Sequence, residues 1–109
     1  MTAALFLAQR ISAMVLALAV AVHLGTILYA VRGGLTAGDI LARTHGNLGF
    51  ALFYSVFVVG VAVHAPIGLR NVIREWTPWR GPALDGALAV FAVALLALGM
   101  RAVIAVYIA

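Results

Sequence analysis

The chain has 109 residues, of which 66% are hydrophobic and 9% are charged, and it carries a formal net charge of +4. Soluble domains are charged at roughly a quarter of their positions, so this composition excludes an ordinary water-soluble domain and indicates a chain solvated by lipid. Because the sequence contains no cysteine, disulfides, thiolate metal sites and thiol catalysis are also excluded.

The first apolar segment runs from Ile11 to Val31 without a charged residue. At about 1.5 Å per helical residue, a segment of this length crosses the roughly 30 Å hydrocarbon core of a bilayer. It is longer than the apolar centre of a cleaved signal peptide and carries polar residues in its later half, so we expect it to be retained. The adjacent glycines Gly33 and Gly34 then predict the end of the helix and a short loop.

Two further uncharged segments follow, one from Gly46 to Leu69 and one from Gly86 to Met100 that continues past Arg101. The first is long enough to span a bilayer with some tilt, and the second is preceded by a connection rich in helix breakers. The chain is therefore predicted to be an all-α membrane protein, with a single transmembrane domain over residues 1–109. Its three transmembrane helices are predicted over residues 5–32, 41–74 and 83–108.

The arginines flank these segments instead of lining one basic face, so we expect lipid headgroups, and not nucleic acid, as their counter-charges. With three spans, the arginines divide four against three between the two sides of the membrane: Arg10, Arg70, Arg74 and Arg80 against Arg32, Arg43 and Arg101. The excess of positive charge favours an N-terminus on the cytoplasmic side.

Two of the three histidines lie within predicted membrane helices, where ionisable side chains are rare and face a cavity, a partner or a cofactor. His64 lies about 9 Å from the interface marked by Arg70, and His23 lies about 13 Å from the opposite interface, marked by Arg32. We therefore do not expect both imidazoles of one chain to bind the same iron. For each of the two histidines, the alternative interpretation is a buried side chain that is hydrogen-bonded to a neighbouring helix. The third, His45, is expected at headgroup level.

Small residues flank His64 at one-turn spacing, since Gly60 and Gly68 lie four residues before and after it. Such a stripe lets another helix approach closely, and it equally lets a porphyrin plane lie along the backbone with the imidazole reaching its iron. Both interpretations stay open from the sequence.

Polar residues near the same predicted interface are candidates for cofactor binding. Arg70 and Arg74 are expected to pair with haem propionates or donate to a quinone carbonyl, with topological anchoring as the alternative. Arg10 and Ser12, at the mouth of the first helix, form a candidate donor pair for a quinone, with snorkelling as the alternative for Arg10. No hydrolytic motif or paired carboxylates are present, and the chain has no room for a soluble catalytic domain, so any substrate oxidation would belong to partner subunits.

Two segments resemble a known family. His64-Ala65-Pro66-Ile67-Gly68-Leu69-Arg70 is similar to the H-x-x-x-G-[I/L]-R segment in the membrane cytochrome b subunits of succinate dehydrogenase and fumarate reductase. Gln9-Arg10-Ile11-Ser12-Ala13 resembles the H-R-x-S-G segment that begins helix one of that family, and the three-helix architecture covers nearly the whole chain. The chain departs from the family pattern at Gln9, Ala13 and Asn71, where a His, a Gly and a second His are common.

The resemblance implies that His64 binds haem b on the side facing an iron–sulfur subunit and that Arg10 and Ser12 lie by a quinone pocket. His23 resembles a ligand of the two-haem branch of the family, which implies a second, distal haem. The resemblance also implies a flavoprotein and an iron–sulfur protein as soluble partners, and a bacterial inner membrane as the location. A second small membrane anchor subunit, or another copy of this chain, would supply the remaining axial ligands and complete a larger bundle.

The leading hypothesis is therefore a membrane anchor and electron-transfer subunit that carries electrons between an iron–sulfur centre and a quinone through haem b. The alternative is a haem-free structural anchor of a multisubunit complex, whose histidines only cross-link helices. A small transporter component is disfavoured because substrate paths carry more intramembrane polar residues than this chain offers.

Overall fold

A computed structural model describes residues 2–109, and these residues form helices without any strand. Its elements are α1 (Ala3–Gly33), α2 (Ala37–Thr44), α3 (Leu48–Trp76) and α4 (Pro82–Ile108). By length and composition, α1, α3 and α4 can each cross a membrane, whereas α2 is a short helix between two of them. The prediction of an all-α membrane protein with three spans is confirmed.

The structure divides the segment that the sequence predicts as one helix over residues 41–74. The break lies at Gly46, whose φ of +63° is in the left-handed region that favours glycine. Asn47 then begins α3 as its N-cap, and its side chain accepts a hydrogen bond from the amide of Phe50 at 3.0 Å. The prediction of one uninterrupted helix here is therefore wrong, because Gly46 lies in the break between α2 and α3.

The short helix α2 begins with a capping box formed by Thr36 and Asp39. The Thr36 hydroxyl accepts from the amide of Asp39 at 3.1 Å, and the Asp39 carboxylate accepts from the amide and the hydroxyl of Thr36 at 3.2 Å and 2.7 Å. These hydrogen bonds, led by the one from the hydroxyl, hold the pKa of Asp39 below its usual value of 3.8.

Acid is expected to weaken this cap. Because the pKa of Asp39 is lower in the folded chain, the stabilisation is complete above pH 3.8 and is lost as the pH falls through the folded-state pKa. The amide NMR signals of Thr36 and Asp39 in micelles should therefore shift with a midpoint below pH 3.8, and an Asp39→Asn variant should show no such titration. An unchanged titration in that variant would contradict the assignment.

The central membrane helix is α3, which packs against α1 on one side and α4 on the other. In the α3–α4 seam, Leu84 is 1% exposed, and Gly99 lies so close to α3 that an added Cβ would stand 2.6 Å from Cγ1 of Val58. Most of the remaining apolar side chains are exposed, as expected for helices that lipid surrounds. The helices form a body 49 Å long, enough to cross a bilayer.

The two ends of this bundle are held together by different contacts. At the end that holds the start of α1, here called the amino-terminal end, Nε of Arg70 lies 3.2 Å from a carboxylate oxygen of Asp85 and joins α3 to α4. At the opposite end, Thr44 donates to the carbonyl of Val106 at 2.9 Å, which ties α2 to the last turns of α4.

Candidate functional site

The imidazole of His64 lies in the seam between α1 and α3, opposite a buried serine. Its Nδ1 is 3.3 Å from Oγ of Ser12, a residue that is 6% exposed. The Ser12 hydroxyl in turn donates to the backbone carbonyl of Gln9 one helical turn earlier, at 3.1 Å. The structure thus brings together two of the residues that the sequence analysis singled out, in a contact that it did not predict.

The contacts of Ser12 admit two arrangements of protons. In one, the hydroxyl donates to the carbonyl of Gln9 and accepts from Nδ1 of His64; in the other, it donates to Nδ1. In both, Nδ1 is the ring nitrogen that Ser12 engages. The first arrangement leaves the lone pair on Nε2, which is the state in which an imidazole binds a metal ion through that nitrogen.

The second imidazole, His23, makes a shorter hydrogen bond across the same seam. Its Nδ1 lies 2.7 Å from the hydroxyl of Tyr54 on α3, and its ring meets those of Tyr54 and Phe57 edge to face, with centroids 5.5 Å and 5.6 Å away. Phe50 and Phe53 extend this group of rings along α3. The imidazole is therefore held by one polar contact inside an aromatic cluster.

The two imidazoles lie at different levels of the bundle. Ser12, which marks the level of His64, and His23 are eleven residues apart on α1, a rise of about 16 Å. The geometry agrees with the expectation that one iron would not be shared between them. His45 is exposed at the C-cap of α2, away from both levels.

Helix α1 packs against the glycine stripe beside His64. A Cβ added at Gly60 would lie 3.1 Å from the side chain of Leu16, and one added at Gly68 would lie 3.3 Å from Nε2 of Gln9. Of the two interpretations that the sequence left open, close approach of another helix is therefore what the structure shows along this stripe.

An open groove lies between α1 and α3 and is lined in part by Ser12. It has a volume of about 460 Å³, with one wall on α1 from Ala8 to Val15 and the other on α3 from Ser55 to Val63. Ser12 and Ser55 are the polar residues of an otherwise apolar lining, and Ser55 donates its hydroxyl to the carbonyl of Ala51 at 2.6 Å. The groove offers an apolar surface that includes Ser12 but neither imidazole.

Arg10 and Ser12 have different surroundings. Residues two positions apart on a helix do not face each other. Ser12 is buried against α3, whereas Arg10 is exposed and lies over the ring of Phe6, 5.9 Å from its centroid.

Arg70 and Arg74 line a polar pocket of about 350 Å³ at the amino-terminal end, together with Asn71, Glu75 and Arg80. Arg80 is held there by donating to the backbone carbonyls of Arg74, Thr77 and Trp79. Only Nε of Arg70 is bonded to Asp85, so its two terminal nitrogens remain free to donate. Three guanidinium groups face two carboxylates, that of Glu75 in the lining and that of Asp85 paired with Arg70, and the remaining positive charge suits a carboxylate, a phosphate or a polarised carbonyl.

Tyr54 is a site residue that sequence reasoning missed. The antiparallel register places Gln9 opposite Gly68, Ser12 opposite His64 and Leu16 opposite Gly60, and continuing it along α1 brings His23 opposite Tyr54. The sequence does contain a tyrosine at the position opposite a membrane histidine. The pairing could be predicted only once one contact between α1 and α3 was known.

Comparison of the chain with protein-family models, with curated proteins and with solved structures finds no match.

Proposed function

We propose that this chain is a membrane anchor and electron-transfer subunit of a complex of the succinate dehydrogenase or fumarate reductase type, binding haem b through His64 and His23. The observation that carries the proposal is the Ser12–His64 contact. It engages Nδ1 and not Nε2 of His64, inside a helix seam at a depth where a solitary polar side chain is costly. Haem iron would supply one-electron chemistry, and the protein would supply ligands, orientation and burial.

The donor set fits a haem centre at each level. Metal-bound histidines usually donate their other ring proton to an oxygen acceptor, and the Ser12 oxygen lies 3.3 Å from Nδ1 of His64, within reach for that role. The Tyr54 oxygen lies 2.7 Å from Nδ1 of His23. Each level contributes one imidazole from this chain, so the second axial ligand would come from a second small anchor subunit or another copy of the chain. The groove along Ser12 offers an apolar surface to such a partner or to the edge of a porphyrin.

The polar pocket at the amino-terminal end supports the electron-transfer proposal at the interface. Arg70 and Arg74 would pair with haem propionates or donate to a quinone carbonyl, and the positive end would face an iron–sulfur subunit that is itself bound to a flavoprotein. The exposed position of Arg10 leaves it free for a quinone held partly by the partner anchor. Under this proposal the chain resides in a bacterial inner membrane with its amino-terminal end on the cytoplasmic side.

The second candidate is a haem-free structural anchor. The same two hydrogen bonds favour it, because they can serve only to connect the helices. Both imidazoles connect α1 to α3, and interhelical hydrogen bonds of this kind stabilise membrane bundles. This candidate requires no lone pair at Nε2, whereas haem binding does.

An absorption spectrum of the complex, purified from its native membrane with its partner subunits, tests the proposal. Sharp bands that appear on reduction, together with haem extracted in proportion to the chain, are the expected result. A fully assembled complex without these bands would reject haem binding and leave the structural anchor.

A further inference from the structure

We infer that Ser12 and Tyr54 are positioning residues for the two imidazoles, each holding Nδ1 as a proton donor so that Nε2 becomes the metal-binding nitrogen. The inference rests on the proposed function, because it concerns how this chain presents its ligands to haem. It gives Ser12 a role distinct from quinone binding and gives Tyr54 a role that the sequence did not suggest.

The two contacts have the same arrangement of groups, although the residues differ. In each, a hydroxyl on one helix meets Nδ1 of a histidine on the other, at 3.3 Å for Ser12 with His64 and at 2.7 Å for Tyr54 with His23. The histidine comes from α3 in one pair and from α1 in the other. The seam thus presents an imidazole at each level with the same nitrogen engaged.

A hydroxyl that accepts the Nδ1 proton affects the ligand in two ways. It restrains rotation of the ring, and it makes the opposite nitrogen a stronger electron donor to a metal ion. Stronger donation favours the ferric over the ferrous state. Removing the hydroxyl should therefore raise the ratio of reduced to oxidised haem at a fixed applied potential, by about fivefold for a typical single hydrogen bond.

The contacts also predict which centre each substitution affects. Ser12 lies about 16 Å along α1 from His23, so Ser12→Ala should change only the His64 centre. Tyr54→Phe keeps the ring within its aromatic cluster and should change only the His23 centre. A general loss of packing would not separate the two centres in this way.

The chain offers a matched control for each variant. Thr77→Ala removes a hydroxyl that is bonded to the backbone of Ile73 at the C-cap of α3 and not to an imidazole. Tyr29→Phe removes a phenolic hydroxyl on α1 while keeping the ring that lies under Arg43. Neither control should alter the tautomer or the redox ratio of a centre.

Two measurements on the full chain test the inference. Nitrogen-15 NMR of histidine-labelled protein in micelles, before haem is added, should show His64 protonated at Nδ1 in the wild type, and a mixture of tautomers in Ser12→Ala. A redox titration of the haem-loaded complex should show the fivefold change at one centre in each variant, and Ser12→Thr, which keeps a hydroxyl, should stay close to the wild type.

The outcomes separate this inference from the proposed function. A wild-type complex that binds no haem overturns both. A haem-loaded wild type whose Ser12→Ala and Tyr54→Phe variants keep the wild-type tautomers and redox ratios overturns the positioning role alone. Changes confined to the matching centre, with the two controls unchanged, support it.

Discussion

If the chain binds haem as proposed, replacing His64 by alanine is expected to remove the haem at its level and to leave the one at the level of His23, so that haem per chain falls by about half. The physical reason is the distance between the imidazoles, about 16 Å along α1, which prevents either histidine from substituting for the other. His23→Ala should produce the complementary loss. Reduced-minus-oxidised spectra of the purified complex, with haem quantified per chain, measure both effects.

His45→Ala is the matched control, because this histidine is exposed at the C-cap of α2 and should leave the haem content unchanged. The structural-anchor alternative predicts a different result for His64→Ala. If His64 only connects helices, the substitution should lower the free energy of unfolding by about 1 kcal/mol through the loss of one interhelical hydrogen bond, and it should leave the absorption spectrum unchanged. Equal haem content in the wild type and the His64→Ala variant would therefore remove His64 from the ligand set.

The spans could be predicted from the sequence because their signal is compositional. Long uncharged segments must become helices in lipid, where every backbone polar group needs a partner within the segment. The bounds of α1 and α4, Ala3–Gly33 and Pro82–Ile108, lie within about two residues of the prediction. The break before α3 depended instead on the backbone of Gly46, whose amide donates to the carbonyl of Tyr107 at 2.9 Å. A local sequence pattern does not predict a contact with the far end of the chain.

The residues of the candidate site could likewise be predicted only in part. His64 and His23 could be selected from the sequence because ionisable residues are costly in lipid. Their partners could not, since which hydroxyl reaches which ring depends on the register of α1 against α3 and on the direction in which each side chain points. Ser12 could be selected for other reasons, its position with Arg10 at the mouth of the first helix and its resemblance to a family motif, and the structure brings it against His64.

The α3–α4 seam should be intolerant of a single added methyl group at Gly99. A Cβ there would lie 2.6 Å and 2.9 Å from the two methyl groups of Val58 and 3.3 Å from its Cβ. Valine in a helix has one strongly preferred rotamer, so it cannot turn both methyl groups away, and the helices must separate. Gly99→Ala is therefore expected to lower the free energy of unfolding by about 1–3 kcal/mol, even though alanine favours a helix more than glycine does.

Gly86→Ala provides the control on the same helix, because nothing lies within 4 Å of a Cβ added there. Its helix propensity alone should leave stability unchanged or raise it by up to about 1 kcal/mol. Unfolding of both variants in mixed micelles, followed by circular dichroism as SDS is added, compares them directly. Adding Val58→Ala to Gly99→Ala removes the two closest methyl groups and should recover part of the loss. If Gly99→Ala were as stable as Gly86→Ala, the close approach of α4 to α3 would be wrong.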